Sequence, residues 1–342
     1  MKKETTIYDL AEHLSLSPST VSRALNDHPA INQKTKDRVN KAAAAFGYQL
    51  NTFAKNLRKK STDTLGVITP KLDSTFMASV LAGMEKVANQ SGYNLLITQS
   101  QESQEKEIAN AKTMFSSRVD GLMVSASAET ETLEHFDQFV NKGVPVLFFD
   151  RVLEDSKMVK IVIDNRKAGR QATEHLIEQG CKRIWHITGD LRRNVYSDRY
   201  KGYRDALKKA GLPLDESSLF ESKLIPDDVD EIVEVIKKSK QKPDGVFVSN
   251  DLYAGSLLIA LKYSGFRIPE DIAIVGFNND PISRIIEPKL TTVHYPAYEM
   301  GELTAKTLID HIKGEVDMNM QDTLILSHKL IIRGSSDRSG QK

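Results

Sequence analysis

The sequence predicts an all-α N-terminal head followed by an α/β body of two doubly wound parallel-sheet lobes. Three observations support this. Residues 1–60 show helical periodicity and no strand-like run. From Leu65 onward, short β-branched runs alternate with amphipathic stretches, and the rhythm restarts near residue 160. Strands alternating with helices mean βαβ crossovers and parallel sheets covered on both faces. The third observation is charge: the 342-residue chain has net charge +1, but residues 1–60 hold 11 Lys/Arg against 5 Asp/Glu, leaving 36 against 41 for the remainder. A head of +6 on a body of −5 is the asymmetry of a nucleic-acid reader joined to a second activity.

In TIYDLAEHL, Ile7, Leu10, Ala11 and Leu14 fall on one helical face, with Thr6 as N-cap and Asp9 at N3. In SLSPSTVSRALN, Ser17 caps a second helix, Pro18 opens it, and Val21, Ala24 and Leu25 point inward. A third helix starts at Asn32, buries Val39, Ala42 and Phe46, and stops at Gly47. The first two, separated by Ser15-Leu16-Ser17, have the layout of a helix-turn-helix. Small side chains at the start of the second helix, Ser19 and Thr20 after Pro18, let the backbone approach base edges in the major groove. Arg23, one turn further on, can pair bidentately with guanine, a contact worth ~1–3 kcal/mol of discrimination. Thr6, Tyr8, Ser17, Ser22, Asn26 and Lys34 carry groups suited to phosphate contacts. On the helices alone, a capped hairpin whose Ser and Thr residues only cap is the competing reading. The connector, residues 51–63 (NTFAKNLRKKSTD), is polar and basic, with only Ala54 and Leu57 on one helical face.

In the body, LGVIT leads into a helix over 76–90, NLLIT into 104–116, and DGLMVS into 130–141, before VPVLFFD. The second half pairs KIVID with a helix over 166–179 and RIWHITGD with one over 198–210. A weak strand near 218–221 precedes 227–238, and GVFVSND precedes 253–263, before DIAIVGF. The helix 298–312 and the strands LTTVHYP and TLILSHKLII return to complete these sheets. The expected domains are 1–50, the connector 51–63, and a body of 64–335. The first lobe takes about 64–162 plus 294–320, the second about 163–292 plus 321–335, and residues 336–342 form a polar tail.

Several classes are excluded. No G-x-G-x-x-G or G-x-x-x-x-G-K-S/T loop cradles a phosphate, and H-E-x-x-H, C-x-x-C and G-x-S-x-G are missing, so neither cofactor nor metal is expected. The one Cys, Cys181, reads as a buried small hydrophobe. Glu4, Asp9 and Glu12 interrupt any secretion-signal core, and no apolar stretch reaches the ~20 residues of a membrane helix, so the cytosol is expected. What remains is a cleft at the carboxyl ends of parallel strands. Loops leaving those ends carry Asp73 and Phe76, Asp150 and Arg151, Asp190, Arg199, Asn250 and Asp251, and Asn278 and Asn279. Fixed polar groups with an aromatic face suit a polyhydroxylated ligand.

The run TIYDLAEHLSLSPSTVSRALND, then Lys34-Thr35 and AFGYQLNTFAKNLR, resembles the head of the lactose-repressor (LacI) family of bacterial transcription regulators, and the body matches that family over nearly its full length. The resemblance implies a periplasmic-binding-protein-like body and a homodimer, expected to repress carbohydrate-utilisation genes from a near-palindromic double-stranded operator. It adds Thr35, Tyr48 and Asn51 to the backbone contacts, with Asn51 capping a hinge helix whose Ala54 meets the partner's hinge and whose Leu57 enters the minor groove. It places effector contacts at Asp150, Arg199, Asn250 and Asn278. The family usually has Asp at this last position; Asn loses a negative acceptor and removes a repulsion, which makes a sugar acid as well as a neutral sugar a candidate effector. A protein co-effector stays open as an alternative; more remote are a solute-binding protein and a sugar-converting enzyme using Asp150 and Asp190. Replacing Arg23 by Ala should relax specificity at one operator position, whereas Lys34→Ala should weaken binding to every sequence and lower the salt slope by about 1, both read by binding titrations at several salt concentrations.

Overall fold

The computed structural model describes residues 5–48, 61–153, 156–320 and 322–339, so the connector positions Asn51, Ala54 and Leu57 lie outside the described residues. The chain divides into two compact units, Met1–Thr62 and Asp63–Lys342.

The head holds α1 (Ile7–Leu14), α2 (Pro18–Leu25) and α3 (Gln33–Ala45). Each start is side-chain capped, which satisfies amide groups that have no partner within the helix. Asp9 N donates to Thr6 Oγ1 at 3.3 Å while Thr6 N donates to Asp9 Oδ2 at 2.7 Å. Thr20 N donates to Ser17 Oγ at 3.1 Å, and Thr35 N to Asn32 Oδ1 at 2.9 Å. Leu10, Val21, Ala24 and Val39 form a dry centre. Phe46 departs from expectation: the core at its end is built by Ala42 and Ala43, and Phe46 lies exposed at the rim, its ring 4.6 Å from that of His13. Lys36 is buried and ion-pairs with Asp27 at 2.6 Å, so this cation closes the α2–α3 loop rather than facing solvent.

The body begins with β1 (Thr64–Thr69), α4 (Thr75–Gln90), β2 (Asn94–Gln99), α5 (Gln104–Ser116), β3 (Gly121–Val124), the short α6 (Asp137–Val140), β4 (Val146–Phe149) and β5 (Lys160–Ile163). It continues with α7 (Asn165–Glu178), β6 (Ile184–Thr188), α8 (Asn194–Ala210), β7 (Leu219–Glu221), α9 (Val229–Lys238), β8 (Gly245–Val248), α10 (Asp251–Tyr263), β9 (Ala273–Asn278), α11 (Ile282–Ile285) and β10 (Thr291–His294). The last elements are α12 (Ala297–Ile312), β11 (Thr323–Leu326) and β12 (Lys329–Ile331). Two six-stranded sheets result, in the orders β11-β5-β4-β3-β1-β2 and β12-β10-β9-β8-β6-β7. Among the described residues only β12, against β10, runs antiparallel.

Four expectations are corrected. Residues 130–141 form no continuous helix, only a 3₁₀ turn and α6. The chain entering this segment is held by long-range acceptors: Ser127 N and Thr130 Oγ1 donate to the buried Glu107 carboxylate at 2.8 and 2.9 Å, and Ala128 N donates to Glu102 at 2.9 Å. The segment 321–335 does not belong wholly to the second lobe, because β11 pairs with the open edge of β5 in the first sheet and only β12 joins the second. Helix α8 starts at Asn194, four residues before the expected 198. The tail from 336 onward is partly docked: Ser336 is buried, with its hydroxyl 2.7 Å from His175 Nε2, and Arg338 donates to the carbonyls of Pro269 and Asp244 at 2.8 and 3.0 Å.

Paired glycines set how closely the helices on each sheet cross. Gly83 of α4 faces the backbone of α12, where Gly301 faces α4 in return. Gly169 of α7 and Gly202 of α8 repeat the arrangement: a Cβ on the first would meet the Arg199 backbone, and one on the second the Arg166 carbonyl. Because the obstacle is main chain, it cannot rotate away. Gly202→Ala should therefore cost about 1–3 kcal/mol by overpacking, read as a lowered midpoint in chemical denaturation.

Candidate functional site

In the head, α2 directs Ser19 and Arg23 outward, with Thr20 half-buried between them. Ser17 Oγ lies 2.8 Å from both Ser19 Oγ and Thr20 Oγ1, so the capping hydroxyl also orders the two small side chains that open α2. The N-terminal end of the helix thus presents a short, pre-organised polar rim, and its dipole favours phosphate there. Of the other forecast contacts, Tyr8 and Lys34 face solvent. Thr6 and Ser17 have cap roles already, and Asn26 Nδ2 donates to the Ser22 carbonyl at 2.8 Å. Ser22 and Thr35 are half-buried, while Tyr48 packs against the head core.

In the body, the carboxyl ends of the parallel strands open on a cleft of about 790 Å³. All seven forecast ligand contacts line it: Asp73, Phe76, Asp150, Arg151, Arg199, Asn250 and Asn278. Asp150 follows β4 with φ 58°, a left-handed conformation that Asp tolerates better than most residues. Its carboxylate accepts from Tyr295 Oη at 2.9 Å, and its carbonyl from Asn194 Nδ2 at 3.2 Å. Burial pushes the Asp150 carboxyl above the ordinary range, outweighing the pull of Arg151 and Arg199. Arg151 Nη1 donates to both oxygens of Glu102, at 2.8 and 2.7 Å. Arg199 reaches in from α8, donating to Asn165 Oδ1 and the Ser249 carbonyl, both at 2.9 Å, with its guanidinium carbon 3.6 Å from the centre of the Phe277 ring. Phe76 and Tyr295 meet at 4.5 Å between ring centres, which supplies an aromatic wall.

Asn250 and Asp251 divide their tasks differently from the expected pattern. Asn250 caps α10, accepting from Tyr253 N at 2.8 Å, while its residue still borders the cleft. Asp251 lies beneath the surface, accepting from Thr292 Oγ1 at 2.7 Å and from Asp280 N at 2.8 Å. Asn279 is likewise structural, its Oδ1 accepting from Arg333 at 2.8 Å. The negative acceptor thought lost with Asn278 is supplied two residues later: Asp280 borders the cleft, and Asn278 Nδ2 donates to its Oδ2 at 3.4 Å. Burial raises the Asp280 carboxyl above the ordinary carboxylate range.

Asp190 reaches the cleft too, but both its oxygens are engaged by Arg192. His186 has no role there: buried among Tyr203 and Phe247, it is held neutral as burial lowers its pKa to about 3. Burial also pushes the Cys181 thiol up to about 12. The residues that sequence reasoning missed are Tyr295, Tyr196, Glu102, Arg193 and Asp280. Tyr295 follows β10, so the strand-end rule applied to LTTVHYP would have found it. Arg193 and Tyr196 escaped because the helix was started four residues late.

A helix-turn-helix head joined to a two-lobed body with a polar cleft defines a DNA-binding transcription regulator rather than an enzyme. Comparison with known proteins agrees. Residues 6–51 match the model for bacterial regulatory proteins of the lacI family, and residues 173–336 match a periplasmic binding protein-like domain. The catabolite control protein A of Priestia megaterium is 31% identical over 333 residues, covering 97% of this chain and 99% of that protein. The HTH-type transcriptional regulator RegA of Clostridium saccharobutylicum is 32% identical over 335 residues, covering 97% and 99%. The solved complex of the transcriptional regulator CelR with cellobiose superimposes with a TM-score of 0.73 at 27% identity, covering 97% of this chain and 99% of that one. The chain belongs to the lacI family of bacterial regulatory proteins. Among the described residues no helix is long and apolar enough to cross a membrane.

The raised Asp150 value has a definite sign. The folded state holds the proton more tightly than the unfolded state, so the buried carboxylate costs no stability below its ordinary value of 3.8 and its full cost appears above the folded value. Asp150→Asn, which keeps an oxygen for Tyr295, should raise the melting temperature of the ligand-free protein at neutral pH, and the gain should vanish in acid. Equal melting temperatures for both proteins across that range would refute the assignment.

Proposed function

We propose that the chain acts as a cytoplasmic homodimeric repressor of carbohydrate-utilisation genes, controlled by a small sugar or sugar-acid effector bound in the cleft. The observation that carries this is the convergence of seven polar or aromatic residues, from strand-end loops and from α4 and α8, on one cavity of about 790 Å³, within the ~300–1,000 Å³ of small-molecule sites. Asp150, Asn250, Asn278 and Asp280 are hydroxyl partners, and Phe76 with Tyr295 offers the face on which a sugar ring stacks. The cellobiose held by a regulator of the same fold supports the ligand class.

On DNA, Pro18, Ser19, Thr20 and Arg23 make the base contacts. Thr6, Tyr8, Ser17, Ser22, Asn26, Lys34, Thr35, Tyr48 and Asn51 hold the backbone, and the hinge residues Ala54 and Leu57 meet the minor groove. Dimerisation is supported by an exposed apolar row on α10: Leu252, Ile259 and Tyr263 repeat at i, i+7 and i+11 on one face, with Ile285 of α11 also exposed. Two heads related by a two-fold axis read two half-sites. The effector shifts the balance between DNA-binding and released forms only by its different affinity for the two.

Selection of bound sequences from random DNA, with and without a panel of sugars and uronates, tests the reading. The expected result is a near-palindromic consensus whose recovery changes with one sugar. A consensus without symmetry, or recovery unchanged by every sugar, would overturn the dimer or the effector assignment respectively.

A further inference from the structure

Four arginines cluster where α8 begins, and three of them have engaged partners. Glu102 holds Arg151, Asp190 holds Arg192, and Arg199 is bonded to Asn165 and the Ser249 carbonyl while lying over Phe277. Arg193 is different. It borders the cleft, is only 7% exposed, and its Nε is buried with no hydrogen-bond partner. Among the described residues no carboxylate forms an ion pair with it, and neighbouring Asp190 is bonded through both oxygens to Arg192. Burial and the like charges of Arg151 and Arg192 work against its charged form and outweigh the nearby Asp190 and Glu107. A desolvated guanidinium with no direct ion pair and no partner for its Nε is an unfavourable feature unless something answers it. The open side of this one is the ligand cavity.

We propose that Arg193 receives an anionic group of the effector, so that the ligand is a polyhydroxylated compound bearing a carboxylate or a phosphate rather than a neutral sugar. This rests on the effector reading of the cleft given above. A planar guanidinium with free N–H groups matches either anion, and a charge-assisted bond formed away from bulk water is stronger than its solvent-exposed counterpart. The hydroxyls then fall to Asp150, Asn250, Asn278 and Asp280, which line the same cavity. Selectivity arises twice over, because a neutral sugar leaves the buried cation unanswered as well as lacking the contact.

Calorimetric titration of the full-length protein with D-glucuronate, D-galacturonate and D-glucose 6-phosphate, against D-glucose, D-galactose and cellobiose, tests this in the parent, Arg193→Gln and Arg193→Lys proteins. At least one anionic sugar should bind about tenfold or more tightly than its neutral parent. Arg193→Gln should abolish that preference and Arg193→Lys restore most of it, a pattern that a purely structural role for Arg193 would not produce. The uronate and phosphate arms identify the anion. Binding of neutral sugars alone, or a preference that survives Arg193→Gln, would overturn the proposal while leaving the sugar-effector reading intact. Failure of every compound to bind would overturn both.

Discussion

The body turns on the hydrogen bond from Tyr295 to the buried carboxyl of Asp150. Asp150 ends β4 of the first sheet, and Tyr295 sits where the chain leaves β10 of the second sheet for α12, which packs on the first. The bond therefore ties one lobe to the crossing segment between them. Arg199 lies 5.9 Å from the Tyr295 ring and carries the second lobe's charge to the same place. Three stretches of chain cross between the sheets, after β5, after β10 and after β11, and Tyr295 lies on the second of them.

Such a junction is not built for maximal stability. Two carboxyls at the cleft, Asp150 and Asp280, are raised by burial, and Arg193 and Arg199 are lowered by it. In each case burial is the first cause, disfavouring the charged form. On the effector reading proposed above, a ligand bringing hydroxyls and an anion would meet several of these groups at once. The apolar core reaches up to the cleft, since Phe76, Phe277 and Tyr295 belong to the same cluster as Val67, while the glycine-mediated crossings of α4 with α12 and α7 with α8 set the helix packing beneath.

The head follows a different economy. It has a core of eight small or aliphatic residues, and every helix in it begins with a side-chain cap. The caps are Ser, Thr and Asn, and the Ser17 hydroxyl also orders Ser19 and Thr20 at the start of α2. The excess of cations in residues 1–60 draws this unit toward nucleic acid, while the acidic body is repelled from it.

Local patterns were sufficient for a good part of this protein. Helix caps, apolar periodicity and turn residues act over three or four positions, so Thr6, Ser17 and Asn32, the alternation of strands and helices, and the strand-end residues Asp150, Asn250 and Asn278 were all readable from the chain. Tertiary structure decided what depends on partners distant in sequence. Glu107 holds Ser127 and Thr130, and a 3₁₀ turn with the short α6 stands where a longer helix was expected. The open edge of β5 recruited β11, and Arg338 anchored a segment that composition alone marks as a polar tail. Whether Asn250 or Asp251 would lie beneath the cleft was settled by Thr292, forty-two and forty-one residues away respectively, and only the packing of α8 left Arg193 buried without an answering charge. Hydrogen bonds and burial between remote segments leave no periodic trace in the chain, whereas capping and amphipathicity are written in neighbouring residues.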